Sequence, residues 1–161
     1  MAGHLPKPLE EFCPIPGARV AIIASMWHAR YVDGMVHRAI EELRRLGVKE
    51  KDIDVHHLPG SLELPLAARI LFETEPKLDG IIAFGVVLKG ATSHNDSVLE
   101  QVMQGFALTT DRFGKPIINE VIGVNDLKDA ADRSGDDIRN KGVEAAFALS
   151  EYLNWKNSLS E

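Results

Sequence analysis

The chain has 161 residues, 45% of them apolar and 26% charged, with 18 Lys plus Arg against 24 Asp plus Glu. That supplies the core of one domain and excludes a disordered tail, a collagenous repeat and a disulfide-rich miniprotein. The net charge of -6 removes most of the attraction that a nucleic-acid backbone requires.

Cys13 is the single cysteine, so an intrachain disulfide and a multi-cysteine zinc site are excluded, and a reducing interior is expected. The opening MAGHLPKPLEEF lacks the apolar run of a secretory signal, and no apolar stretch approaches a bilayer span. The expectation is a soluble, cytoplasmic protein with neither nucleic acid nor membrane as partner.

Residues 1–17 carry Pro6, Pro8, Pro14 and Pro16 with little periodicity and read as an arm laid over the surface. Arg19 to Ser25 (RVAIIAS) has the continuous apolar character of a strand buried on both faces. The period then changes: Val32, Met35, Val36, Ala39, Ile40, Leu43 and Leu46 recur at three- and four-residue intervals, and Gly47 ends the amphipathic helix they form. Ile53 to Leu58 reads as a short strand, and Glu63 to Glu73 as a helix with Pro65 in its first turn.

Asp79 to Leu88 (DGIIAFGVVL) is the most apolar strand and is expected at the centre of the sheet. A helix from Asp96 to Phe113 capped by Gly114, a strand from Pro116 to Ile122, a short helix from Leu127 to Arg133 and a longer one from Asn140 to about Trp155 follow. Strands alternating with helices predict an α/β fold, with a parallel sheet covered on both faces. The expected organisation is an arm at 1–17, one α/β domain at 18–156 and a tail at 157–161.

Ligands of open parallel sheets collect at the carboxyl ends of strands, where helix N-termini present unpaired N–H groups. Gly90-Ala91-Thr92-Ser93 is small, polar and directly N-terminal to a helix, the arrangement that holds a phosphate or another anion. Gly85 and Gly90 have the spacing of a phosphate-loop's two glycines, but Ala91-Thr92 stands where that motif needs Lys-Ser or Lys-Thr, which disfavours an NTPase. His94, at the mouth of this loop, reads either as a hydrogen-bonded surface residue or as a proton carrier near neutrality. Trp27 reads as a stacking platform for a flat heterocycle or as a half-buried core indole.

Pro59-Gly60-Ser61-Leu62-Glu63 is a turn into a helix, where Glu63 has the chemistry to accept hydrogen bonds from a polyhydroxyl chain. Arg133 has the chemistry to clamp a phosphate, and Lys141 stands in the first turn of its helix against the dipole preference. Between them the 132–142 segment otherwise reads as a solvated connection. His56 and His57 are adjacent on a strand and point to opposite faces, so they cannot share an ion; no metal is proposed.

Taken together, these loops resemble the 6,7-dimethyl-8-ribityllumazine synthases, over about Arg19 to Leu153. The resemblance rests on Trp27 after the first strand and on Pro59-Gly60-Ser61-Leu62-Glu63-Leu64-Pro65, similar to the family's PGxxExP. Gly90-Ala91-Thr92-Ser93-His94 is similar to GxTxH, and Arg133, Gly135, Asn140, Lys141 and Gly142 to RxG(x)4NKG.

The resemblance implies a flavodoxin-like three-layer sandwich with four parallel strands, assembled from pentamers with the site between subunits. It implies condensation of 5-amino-6-ribitylamino-uracil with 3,4-dihydroxy-2-butanone 4-phosphate, without metal or organic cofactor. By the same resemblance Trp27 stacks on the pyrimidine, Leu62 and Glu63 meet the ribityl chain, Val87 and Leu88 line the ring pocket, and Ser61 is a further substrate-binding residue. Ala91, Thr92 and Arg133 hold the phosphate, Arg133 arriving from the adjacent subunit. His94 moves protons, and Lys141 lies at the same interface.

Three departures from the family pattern stand out, covering four positions. Asn119-Glu120 replaces an aromatic followed by Gly, Asn95 replaces the aromatic after the catalytic His, and His28 stands where Asn is common. Asn119 is accordingly expected to take over a ring contact. The prolines flanking Ile15 hinder strand addition by the arm, so the expectation is a pentamer or decamer and not a sixty-subunit shell.

Two competing readings remain at this stage. A flavodoxin-type carrier would place a phosphate loop after the first strand, which Ser25-Met26-Trp27-His28-Ala29 lacks. A non-catalytic flavin- or lumazine-binding oligomer of the same fold is the alternative, with Asn119 and Glu120 as its hint.

Overall fold

The structure, a computed structural model, describes residues 4–161. Four strands, β1 (Val20–Ser25), β2 (Ile53–Leu58), β3 (Gly80–Leu88) and β4 (Ile117–Val124), form one parallel sheet in the order β2-β1-β3-β4. Five helices accompany them: α1 (Ala29–Arg45), α2 (Leu64–Thr74), α3 (His94–Phe113), α4 (Leu127–Asp132) and α5 (Lys141–Ser158). This is the doubly covered parallel α/β sheet expected from the alternation of elements, and the flavodoxin-like sandwich that the resemblance implies.

All six residues of β1 and eight of the nine in β3 are buried, as befits the two inner strands of a sheet covered on both faces. Period two divides their side chains. Val20, Ile22, Ala24, Ile82, Phe84 and Val86 pack with α1 and α5, whereas Ala21, Ile23, Ile81 and Ala83 pack with α2 and α3.

Local chemistry sets the helix ends. Gly47 (φ +94°) takes the left-handed conformation that closes α1, with Val48 N–H donating to the Leu43 carbonyl, and Gly114 (φ +61°) does the same for α3. α3 starts at His94 instead of Asp96, because Ser97 N–H donates to the Ser93 carbonyl and closes the turn two residues earlier. β4 runs on to Val124, which pairs with Leu88, and α5 on to Ser158.

The N-terminal arm differs from the expected surface segment. Residues 1–3 lie outside the described part, but Phe12 and Ile15 are both buried in the α1/α5 layer. Phe12 meets Phe147 at 5.0 Å between ring centroids and carries the Arg45 guanidinium over its face; Ile15 N–H donates to the Leu46 carbonyl at 2.9 Å. Prolines prevent a strand here, but the apolar residues between them still gain by leaving water.

α1 and α5 cross at unusually short range. A side chain on Gly142 would run into the Met35 carbonyl and lie 2.6 Å from the Ala39 nitrogen, and one on Gly34 would lie 2.6 Å from the Ser134 carbonyl oxygen. Asn140 locks this crossing. Its Oδ1 accepts from Gly142 N–H at 2.7 Å, capping α5, and its Nδ2 donates to the carbonyls of Gly135 (2.7 Å) and Gly34 (3.3 Å). Gly142→Ala must push backbone apart, and we expect a loss of about 3 kcal/mol, read as a lowered denaturant midpoint at constant slope; an unchanged midpoint would show that the crossing tolerates a methyl group.

Candidate active site

A cleft of about 390 Å³ opens at the carboxyl ends of β1 and β3. Its walls include Trp27, Gly60, Ser61, Leu62 and Glu63 on one side, and Val87, Leu88, His94 and Asn95 on the other. Seven of the residues singled out from sequence therefore meet in one place: Trp27, Ser61, Leu62, Glu63, Val87, Leu88 and His94. Trp27 is 71% exposed, which excludes the core reading and leaves its indole free to cover a ligand.

His28 follows in the left-handed conformation (φ 59°, ψ 40°) as the N-cap of α1, the only non-glycine residue with positive φ among those described. A backbone position of this kind tolerates His, Asn or Asp at lower cost than most other side chains.

Ser61–Glu63 form a single 3-10 turn leading into α2. Glu63 folds back, its carboxylate 3.1 Å from the point where a Gly60 side chain would begin, and the Trp27 indole is 3.5 Å from the same point. Gly60 thus lets an indole and a carboxylate share one wall. Gly85 acts likewise under the floor: a Cβ there would sit 2.7 Å from Ser61 Oγ and 3.3 Å from Ser25 Oγ.

The Gly90-Ala91-Thr92-Ser93 loop is exposed and leads directly into α3. Asn95 ties it down from inside the helix, its Nδ2 donating to the Leu88 carbonyl, while Lys89 N–H donates to the Val124 carbonyl at 2.8 Å. The Asn95 departure thus has a structural use that the sequence did not reveal, because the bond forms only when β3 and the first turn of α3 fold back on each other.

The other candidates stand outside this cleft in the protomer. Ala91 and Thr92 lie on the loop beyond its wall, and Asn119 is exposed on the edge strand, its Oδ1 accepting from Val121 N–H at 3.0 Å. Arg133 ends α4, its guanidinium donating to the Asp129 carbonyl at 3.0 Å. Lys141 N–H donates to the Arg133 carbonyl at 2.8 Å, so the two cations belong to one closed loop.

Lys141 has its explanation in two carboxylates: Glu144 at 2.7 Å and Glu120 at 3.8 Å. The cation that opposes the helix dipole is offset by the Glu144 carboxylate on its own helix, with the Glu120 carboxyl of β4 beside it. Glu120 lies opposite Phe84 in the β3/β4 register and is 7% exposed. Burial pushes its carboxyl up to about 8, against the pull of Lys141, and Glu144 adds to the rise.

Because the folded state holds this proton more tightly than the unfolded chain, the stabilisation is complete below about pH 4.5 and is lost as pH rises through about 8. Glu120→Gln should remove that part of the pH dependence and make the protein more stable than the parent at pH 9, by on the order of a few kcal/mol. Denaturant unfolding at pH 6 and pH 9 tests this, and parallel pH slopes in the two proteins would refute it.

The sequence model of the family described as 6,7-dimethyl-8-ribityllumazine synthase matches residues 17–157, nearly the whole chain.

Proposed function

The chain belongs to the 6,7-dimethyl-8-ribityllumazine synthase family, and on that premise we propose how its residues share the work. The chain is a transferase of riboflavin biosynthesis. It condenses 5-amino-6-ribitylamino-uracil with 3,4-dihydroxy-2-butanone 4-phosphate to 6,7-dimethyl-8-ribityllumazine, releasing phosphate and water. It acts on small molecules and works within an oligomeric family.

In our reading the pyrimidine lies under Trp27, with its ring against Val87 and Leu88 and its ribityl chain along Ser61, Leu62 and Glu63. His94 takes and returns protons during imine formation and phosphate departure, where an imidazole is suited to both directions near neutral pH. Ala91, Thr92 and Arg133 hold the phosphate, Arg133 and Lys141 coming from the adjacent subunit, and Asn119 closes the neighbour's ring pocket. Joining two held substrates gains chiefly from orientation, and a fixed guanidinium favours the departing phosphate.

One observation carries this reading: the stacking, ribityl and proton-transfer groups line one cleft, whereas the cations Arg133 and Lys141 stand outside it on the same chain. A site with a phosphate substrate needs those cations, and a second copy is the simplest source. Co-assembly tests it. His94→Gln alone should lower kcat by about a hundredfold, and Arg133→Ala should sharply lower kcat/KM for the butanone phosphate. Mixed oligomers of the two inactive variants should recover about a quarter of the parent activity, since each interface of the right order contains one intact His94 and one intact Arg133. No recovery on mixing would reject the shared site.

The assembly we propose is a homopentamer or a decamer of two pentamers, in the cytoplasm. Exposed apolar side chains on α2 (Leu66, Ile70) and α3 (Met103, Leu108) support self-association. The arm argues against a shell, since Phe12 and Ile15 are buried in their own protomer and Ile15 N–H is engaged with Leu46. No helix among the described residues is long and apolar enough to cross a membrane. Light scattering should give a mass of five or ten protomers; one near sixty would overturn the arm's role.

A further inference from the structure

Glu120 is a buried carboxyl that the proposed mechanism leaves unused, at a position where the family pattern has glycine. It sits on the face of β4 turned toward α5, between Ile118 and Ile122, and its only close cation among the described residues is Lys141 at 3.8 Å. We propose that Glu120 is a positioning residue for Lys141: by holding or releasing the ammonium group it sets how much positive charge the first turn of α5 offers to an oxygen acceptor of the bound substrates. The inference rests on the proposed intersubunit role of Lys141.

The charges around Glu120 define the device. α5 contributes Lys141 and Glu144. α1 brings Arg38 close to Gly142, but that guanidinium is engaged with Glu41 at 3.3 Å and Glu42 at 3.3 Å. β3 supplies the apolar Phe84, and α4 turns the buried Ala130 inward.

With Glu120 neutral, Lys141 has one anionic partner, Glu144, whose side chain is 47% exposed and therefore screened by water. With Glu120 ionised, two carboxylates flank one ammonium, the cluster becomes net negative, and the cation is drawn toward the sheet. Burial delays that ionisation to about pH 8.

The test is steady-state kinetics from pH 6.5 to 9.5 on the assembled protein. Lys141→Gln first identifies which substrate's KM depends on the ammonium group. In the parent, that KM should rise on the order of fivefold between pH 7 and 9, without a matching fall in kcat. Glu120→Gln should abolish the rise, and comparison at each pH cancels ionisation of the substrates themselves. In the Lys141→Gln background, Glu120→Gln should change nothing.

An unchanged KM profile in Glu120→Gln, an effect that survives in the Lys141→Gln background, or a Lys141→Gln variant with both KM values unaltered overturns the proposal. If Glu120→Gln does not fold, the rise in the parent must vanish in Lys141→Gln, and its persistence is equally fatal. Absence of lumazine formation by the parent would defeat the catalytic reading instead, and the same comparison would then be read on the two substrates' binding constants by calorimetry.

Discussion

β1 is hydrogen-bonded to β2 on one edge and to β3 on the other, and the helices that follow β1 and precede β3 lie on opposite faces of the sheet. No helix can then cover the carboxyl ends of both strands, and a cleft opens between them. The residues just past each strand end fall around it: Trp27 after β1, Ser61 to Glu63 after β2, and His94 after β3. The candidate site lies where the chain changes its direction of winding. The glycines at 60 and 85 matter because an indole, a carboxylate and two hydroxyls must approach the backbone closely there.

A second constraint operates on the other face. α1 lies so close to α5 at Gly142, and to the α4–α5 connection at Gly34, that neither glycine has room for a methyl group, and the Asn140 amide bonds three backbone groups to hold this packing. The same knot fixes the first residue of α5, and so places Lys141 against Glu120 and Glu144. A loop that reads as solvated is therefore half structural. Asp137 and Arg139 pair in water, with Arg139 holding the Asp137 carboxyl below its usual range, while Arg133 and Lys141 are fixed by backbone bonds.

Glu120 joins the two faces of the problem. Glycine at that place would leave Lys141 to Glu144 alone; a carboxyl adds a titrating neighbour in a setting where its charged form is costly. Stability at alkaline pH is reduced by the same desolvation that keeps the carboxyl neutral at pH 7. Its neighbour Asn119, one residue away, points to the opposite face and to solvent. The sequence departure at 119–120 thus consists of two changes with separate consequences.

Periodicity alone made the elements legible. The apolar runs of β1 and β3, the three-four spacing of α1 and the glycines that end α1 and α3 each report a local preference, and local preferences are encoded residue by residue. The motif residues Trp27, Ser61 to Glu63 and His94 were legible for a related reason, since strand-end loops announce themselves once the strands are known.

What only the tertiary structure decided depends on residues far apart in the chain. Seating of Phe12 and Ile15 in the core, the Asn95 anchor on Leu88, and burial of Glu120 beside Lys141 each require a packed neighbour that no local pattern specifies. A side chain's charge and reach are written in its type, but its dielectric surroundings are set by whatever the fold brings against it. That is why Glu120 could be noticed in the sequence as an oddity, yet its held proton belongs to the folded protein alone.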